Sequence, residues 1–334
     1  MSAPKPRIAL TAPLFSRDAD SYLVSEAEVL RCYDSRPSVD DLAFADAVIA
    51  QSPRRIGRAE LGPAEHLTVI STVGSGYDFI DVGAATDAGV AVTNAAGVAS
   101  VPVAEYVIGA VVLGRRKFLD QRQRLLAGDF REWRARYDGV TASGVSASRL
   151  GIVGLGRIGA EIARRAELGL GMEVRYVGSG RVRTPAPSLV EAASVDELCA
   201  WADVITLHVP LTATTRHLIG PRQLEMLGGD GLLINTARGG VVDQCAVLTA
   251  LRAGTLGGAV LDVLDPEPPD SEALLEFSDI PGLFVTPHIA GVTRDSLHAL
   301  SFSAVERALT VLRGEKPPTL VNPQVWKRRR RYQG

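Results

Sequence analysis

The chain has 334 residues, yet it is poor in cysteine, carries no excess charge of either sign and contains no long apolar run. Its three cysteines, Cys32, Cys199 and Cys245, lie far apart and never form a CxxC pair. That spacing argues against a disulfide framework or a zinc site and fits a reducing, cytoplasmic compartment. No metal site is expected. Lysine and arginine (36) nearly balance aspartate and glutamate (38), for a net charge of −2. Neither nucleic acid nor a membrane surface is therefore an expected partner. No window approaches the roughly 18 uninterrupted apolar residues of a membrane span. The N-terminus, MSAPKPRIAL, lacks the apolar core of a signal peptide. The run KRRRR (327–331) is a local exception and reads as a solvated tail.

What is present is the composition of a globular protein, 46% hydrophobic and 22% charged. The length suits about two domains of roughly 150 residues each. Short apolar segments rich in Val and Ile, at 7–12, 46–50, 67–72 and 90–94, read as strands separated by helix-like stretches. A long helical pattern covers 103–130, with Gly128 as a stop, and a polar loop follows at 137–148. Further strands are expected at 149–154, 173–178, 203–209, 231–237, 257–263 and 283–288, with helices between most of them and a last helix over roughly 294–312. The fold class is α/β, with two Rossmann-like or flavodoxin-like doubly wound parallel sheets and a cleft between them. One domain is discontinuous, 1–101 with 294–334, and takes the substrate. The other, 102–293, takes a dinucleotide, and hinges are expected near Ser100 and Gly291.

The segment GLGRIG places Gly154, Gly156 and Gly159 in GxGxxG spacing between a strand and a helix. The first glycine allows the turn, the second lets backbone approach a pyrophosphate, and the third lets helix and strand pack closely. The helix N-terminus adds free amides and partial positive charge. An acid that would bind a ribose 2′-hydroxyl is expected about 20 residues further on. Residue 177 is Val, and Ser179, Arg181 and Arg183 follow instead. Loss of the carboxylate removes repulsion of a 2′-phosphate, and each charge-assisted hydrogen bond adds about 1.5–3 kcal/mol. NADP(H) is the preferred cofactor on this pattern, with NAD(H) as the alternative.

Late strand ends carry Arg238, then Asp262, Asp265 and Glu267, then His288. Ligands of open α/β sheets bind at such carboxyl ends. Arginine can pin a carboxylate and polarise a neighbouring carbonyl. Histidine can deliver a proton near neutral pH, and a carboxylate beside it favours the imidazolium. Together they suggest hydride transfer to a 2-oxo acid.

The stretches GSGYDFIDV, VTNAAGV…VAEY, GIVGLGRIG, LHVPLTATTRHLI, INTARGGVVD, LDVLDPEP and TPHIAG occur in an order that resembles the D-isomer-specific 2-hydroxyacid dehydrogenase family. The resemblance implies that Arg238 binds substrate, Glu267 partners the histidine and His288 is the general acid/base. It implies a substrate-carboxylate loop at Val73, Gly74, Ser75 and Gly76. It places Ser100, Arg157, Ile158, Val209, Pro210, Thr215, Thr236, Ala237, Asp262 and Gly291 against the cofactor, with Asp262 at the nicotinamide carboxamide. It also implies a homodimer joined through the cofactor domains. The GSGRVR run is similar to that of an NADPH-preferring glyoxylate/hydroxypyruvate reductase branch, and Trp133 resembles a tryptophan that approaches the partner's active site there. An NAD-dependent enzyme for a larger 2-oxo acid and a dinucleotide-sensing corepressor are the alternatives.

Overall fold

The structure, a computed structural model, describes residues 4–33, 42–51, 55–128, 130–131, 142–178 and 189–333. The chain divides into two compact units, Met1–Ala99 with Val292–Gly334, and Ser100–Gly291.

The first unit holds the parallel strands β1 (Arg7–Leu10), β2 (Glu28–Arg31), β3 (Ala47–Ala50), β4 (Val69–Thr72) and β5 (Ala91–Thr93), in the order β2-β1-β3-β4-β5. Strands β3, β4 and β5 are buried along their whole length, as a sheet covered on both faces requires. The edge strand β2 is absent from the sequence expectation. Its Glu-Val-Leu-Arg run is half exposed and too short to show a pattern. Helices α1 (Arg17–Glu26), α2 (Arg58–Leu61) and α3 (Val82–Asp87) connect the strands. Ser16 Oγ starts α1 by accepting from the Ala19 amide, and Asp81 starts α3 by accepting from that of Ala84.

The second unit opens with α4 (Ser100–Arg115) and α5 (Phe118–Leu126), where the sequence pattern predicts one helix. Arg115 explains the break. Buried at the end of α4, it donates to Ser148 Oγ (2.9 Å) and to the Asp230 carbonyl (2.7 Å). The chain then tightens, with the Lys117 amide on the Gly114 carbonyl and Lys117 itself left-handed at φ 48°. Gly128, at φ 95°, ends the helical segment.

Strands β6 (Arg149–Val153), β7 (Glu173–Val177), β8 (Val190–Glu191), β9 (Val204–Leu207), β10 (Leu232–Asn235), β11 (Gly258–Leu261) and β12 (Leu283–Val285) form a parallel sheet ordered β12-β11-β10-β9-β6-β7-β8. The two-residue β8 escapes sequence detection because both residues are exposed. Helices α6 (Arg157–Leu170), α7 (Val195–Trp201), α8 (Pro221–Leu227), α9 (Gln244–Ala253) and α10 (Ser271–Ser278) link the strands. One core gathers α7 to α10 on the sheet, with Leu198, Leu224, Val247 and Phe277 among its members.

Helix α11 (Arg294–Leu312) belongs to the first unit. Leu300, Ala304, Val305, Ala308 and Leu312 join Ile8, Leu10, Ile49 and Val69 in one core, and Ser71 Oγ donates to the Ala304 carbonyl at 2.8 Å. Past α11 the chain pairs antiparallel with β5 through Thr93 and Leu320. Fully buried Asn322 accepts from the Val92 amide (2.8 Å) and donates to the Val90 carbonyl and Thr86 Oγ1 (3.0 Å each).

The basic run is not the solvated tail that its charge suggests. Arg330 donates to the Ala64 carbonyl, and its amide donates to that of Gly89. Arg329 donates to the carbonyls of Gly314 and Trp326, with its guanidinium 3.5 Å from the Trp326 ring centroid. Carbonyls left open at helix ends and turns attract such donors. Among the described residues, no helix is long and apolar enough to cross a membrane.

Candidate active site

Strand β6 runs through the glycine turn into α6. Gly154 sits at φ 102°, and a side chain there would come within 2.7 Å of the His208 carbonyl. A Cβ at Gly159 would strike the Gly154 carbonyl, so helix and strand could not pack as they do. A Cβ at Gly156 would meet nothing within 4 Å, which leaves open space beside the helix N-terminus. Arg157 and Ile158 form the first turn of α6. The hydroxyls of Ser100 and Thr236, in this same unit, are buried and have no hydrogen-bond partner among the described residues. Buried hydroxyls are rarely left unpaired. An open glycine cradle with two orphaned hydroxyls fits a bound dinucleotide. Val209 is half-buried and Pro210 exposed. The Thr215 hydroxyl donates to the Pro210 carbonyl (2.6 Å), so it shapes this loop from within. The Ala237 amide is held by Asn235 Oδ1. Ser179, Arg181, Arg183 and Trp133 lie outside the described residues. The Gly154 amide donates to the carbonyl of Val177 (2.8 Å), so Val occupies the place at the turn where an acid was expected.

His288 follows β12, and its Nδ1 lies 2.6 Å from Glu267 Oε1. The Glu267 hydrogen bond raises the imidazole pKa above its ordinary value, against burial and against the charge of Arg238. Burial alone would push Glu267 up, but the His288 hydrogen bond and charge bring it below the usual carboxylate range. Arg238 precedes the short 3-10 turn Gly239–Val241, and its Nη1 donates to the Ala237 carbonyl at 2.7 Å. A cavity of about 550 Å³ opens beside the pair, with Leu264, Pro268, Leu274, Phe277 and Leu283 in its walls.

His288 has φ 56°, in the left-handed region that costs an L residue about 1–2 kcal/mol. Its amide donates to the carbonyls of Asp262 (2.8 Å) and Thr286 (3.0 Å). The buried Asp262 carboxylate accepts from Thr286 Oγ1 (2.6 Å) and from the amides of Ile289 (2.7 Å) and Ala290 (2.8 Å). Asp262 thus braces the turn that carries the histidine, a duty beyond the cofactor contact expected for it. Gly291 closes this turn at the end of the unit.

A family model described as "D-isomer specific 2-hydroxyacid dehydrogenase, NAD binding domain" matches residues 108–290. The chain belongs to that family. With it comes membership of the NAD(P)-dependent oxidoreductases. The D-3-phosphoglycerate dehydrogenase of Methanocaldococcus jannaschii is 35% identical over 95% of this chain, which spans 59% of that protein's length. The glyoxylate reductase of Korarchaeum cryptofilum is 33% identical over 97% of this chain and 98% of its own. The NADPH-dependent glyoxylate/hydroxypyruvate reductase of Sinorhizobium meliloti, solved with NADP and malonate, superimposes with a TM-score of 0.79 at 27% identity, covering 95% of this chain and 97% of that one.

In this 2-hydroxyacid dehydrogenase, His288 is the histidine with a carboxylate on its ring among the described residues. His208 bonds Thr206 through Nε2 (2.9 Å), and burial pushes it down to about 3, so it stays neutral. His298 bonds Ser16 Oγ. In the other unit, the segment Val73–Gly76 follows β4. Its Gly74 carbonyl accepts from Thr72 Oγ1 and the Ala95 amide, and its Ser75 carbonyl from Asn94 Nδ2. The amides of Gly74, Ser75 and Gly76 bond no described residue. Sequence reasoning passed over Tyr106 and Thr286. Their signal was only position, Tyr106 early in α4 and Thr286 two residues before His288.

Proposed function

We propose that this protein reduces small 2-oxo acids, glyoxylate and hydroxypyruvate first among them, to 2-hydroxy acids with NADPH. The observation that carries this is the 2.6 Å pair of His288 and Glu267 in the charge field of Arg238. The reduced cofactor supplies a hydride to C2 of the acid. Glu267 holds Nδ1, which leaves Nε2 of the imidazolium to give its proton to the carbonyl oxygen as charge develops there. Arg238 binds the substrate carboxylate. The preference for NADPH is supported by Val177 at the glycine turn and by Ser179, Arg181 and Arg183 after it in the sequence. Ser100 and Thr236 offer hydroxyls to the cofactor, and Asp262 lies at the carboxamide end. We place the enzyme in the cytoplasm, a reducing setting that suits three free cysteines.

A homodimer is part of the proposal. It is supported by α5, where Phe118, Leu125 and Leu126 are about half exposed or more and none of the helix's residues is buried. One observation favours a second reading, an NAD-dependent dehydrogenase for a larger 2-oxo acid. The apolar-walled cavity of about 550 Å³ beside His288 holds far more than a two-carbon acid. Initial rates with NADPH and with NADH, each against glyoxylate, hydroxypyruvate, pyruvate and phenylpyruvate, separate the two. Fast NADPH oxidation with the small acids is expected. Preference for NADH with phenylpyruvate would overturn the first reading in favour of the second.

A further inference from the structure

A hydroxyl outside the catalytic set touches the turn that carries His288. Tyr106, early in α4, places its OH 2.5 Å from Thr286 Oγ1. The single Thr286 hydroxyl proton goes to Asp262 Oδ1, so Tyr106 must be the donor to Thr286. Protons therefore run in one direction, from Tyr106 to Thr286 to Asp262. The remaining bonds of Asp262 take the amides of Ile289 and Ala290, the two residues after His288. The left-handed backbone of His288 is enclosed between its own bonds to Asp262 and Thr286 and those of its two successors.

We propose that Tyr106 is a positioning residue, which through Thr286 and Asp262 fixes the backbone turn that aims His288 at Glu267 and at the reacting carbonyl. The inference rests on the proton-donor role assigned above to His288. Nothing in the chain of bonds requires Tyr106 to touch substrate. Its phenol must keep its proton to donate, and burial raises its pKa, so it does so across the working range. The charged groups that face the imidazole are Glu267, Arg238 and Asp262. Glu267 is in direct contact at 2.6 Å, a separation that a loosened turn would lengthen. Misplacement by about 1 Å can cost on the order of 100-fold in rate, so a partial loosening corresponds to about 10-fold.

The test is an NMR titration of the His288 imidazole in the full-length protein, as wild type, Tyr106→Phe, Thr286→Val and Thr286→Ser. Wild type should titrate above an ordinary imidazole. Tyr106→Phe and Thr286→Val should lower that midpoint by about half a unit, whereas Thr286→Ser, which keeps the hydroxyl, should retain it. Turnover of Tyr106→Phe should fall about 10-fold with the KM for NADPH unchanged. An unchanged midpoint in Tyr106→Phe and Thr286→Val would overturn the proposal, even if turnover or melting temperature fell. A lowered midpoint in a protein that turns over no 2-oxo acid would sustain the positioning role and overturn the proposed function instead.

Discussion

The two units solve the same folding problem and use its products differently. Each is a parallel sheet covered by helices, and each sends short loops out from its strand ends. In the unit of Ser100–Gly291, those loops carry Arg238, Glu267 and His288, and the imidazole and carboxylate shift each other's protonation. In the other unit, the Val73–Gly76 loop presents backbone amides, while the polar side chains nearby are spent on knitting the chain. Architecture alone therefore does not say where the chemistry lies. The difference rests on which side chains the loops carry and whether those side chains have partners.

Substitutions can break this contrast, and the largest effect is expected at His288. His288→Ala should lower kcat by about 10²-fold or more, the usual range for a general acid, with NADPH affinity retained in a fluorescence titration. Near-normal turnover would remove His288 from this role. In the first unit the corresponding loss should be of stability. Asn322→Ala strands the Val92 amide and the Val90 carbonyl in the core and removes a donor from Thr86 Oγ1, at about 2–4 kcal/mol. Denaturant unfolding should show it, with kcat per folded molecule preserved. Glu267→Gln sharpens the comparison through pH. In the proposed reduction His288 gives the proton and must be protonated, and Glu267 raises that group's pKa. Activity should thus persist at low pH and fall as pH rises through the raised value. In the variant the fall should come at lower pH, with kcat down about 10-fold at neutral pH. The same raised pKa contributes stability fully present below the unfolded imidazole value and lost as pH rises through the folded one. Arg330→Ala should be the mildest change. It removes one charge-assisted hydrogen bond to the Ala64 carbonyl and should cost ~1 kcal/mol in thermal unfolding, with no effect on cofactor binding.

Much of this was legible in the sequence. Buried strands such as β9 and β10 are mostly apolar runs preceded by Asp or Gly, and the glycine spacing at 154, 156 and 159 marks the turn between β6 and α6. Arg238, Glu267 and His288 could be singled out because each has a side chain that the proposed chemistry uses, and the structure brings His288 and Glu267 into contact. The break between α4 and α5 was hidden, because it depends on Arg115 reaching Ser148 and Asp230, far along the chain. The docking of Arg329 and Arg330 was hidden for the same reason. Their partners are backbone carbonyls, which every sequence possesses equally. The bracing of His288 by Asp262, Thr286 and Tyr106 required knowing which hydroxyl faces which carboxylate.

The route of the chain through its units also sets an order of events during synthesis. The sheet of Met1–Ala99 is translated first, yet one of its faces is covered by α11, which is made near the end. The unit of Ser100–Gly291 is continuous, so it can close its core while that earlier sheet still waits for its cover. Domains usually fold in the order in which they leave the ribosome; here the middle unit is expected to finish first. Ribosome-stalled chains ending before residue 294 should therefore show a protease-resistant middle unit and a sensitive N-terminal one.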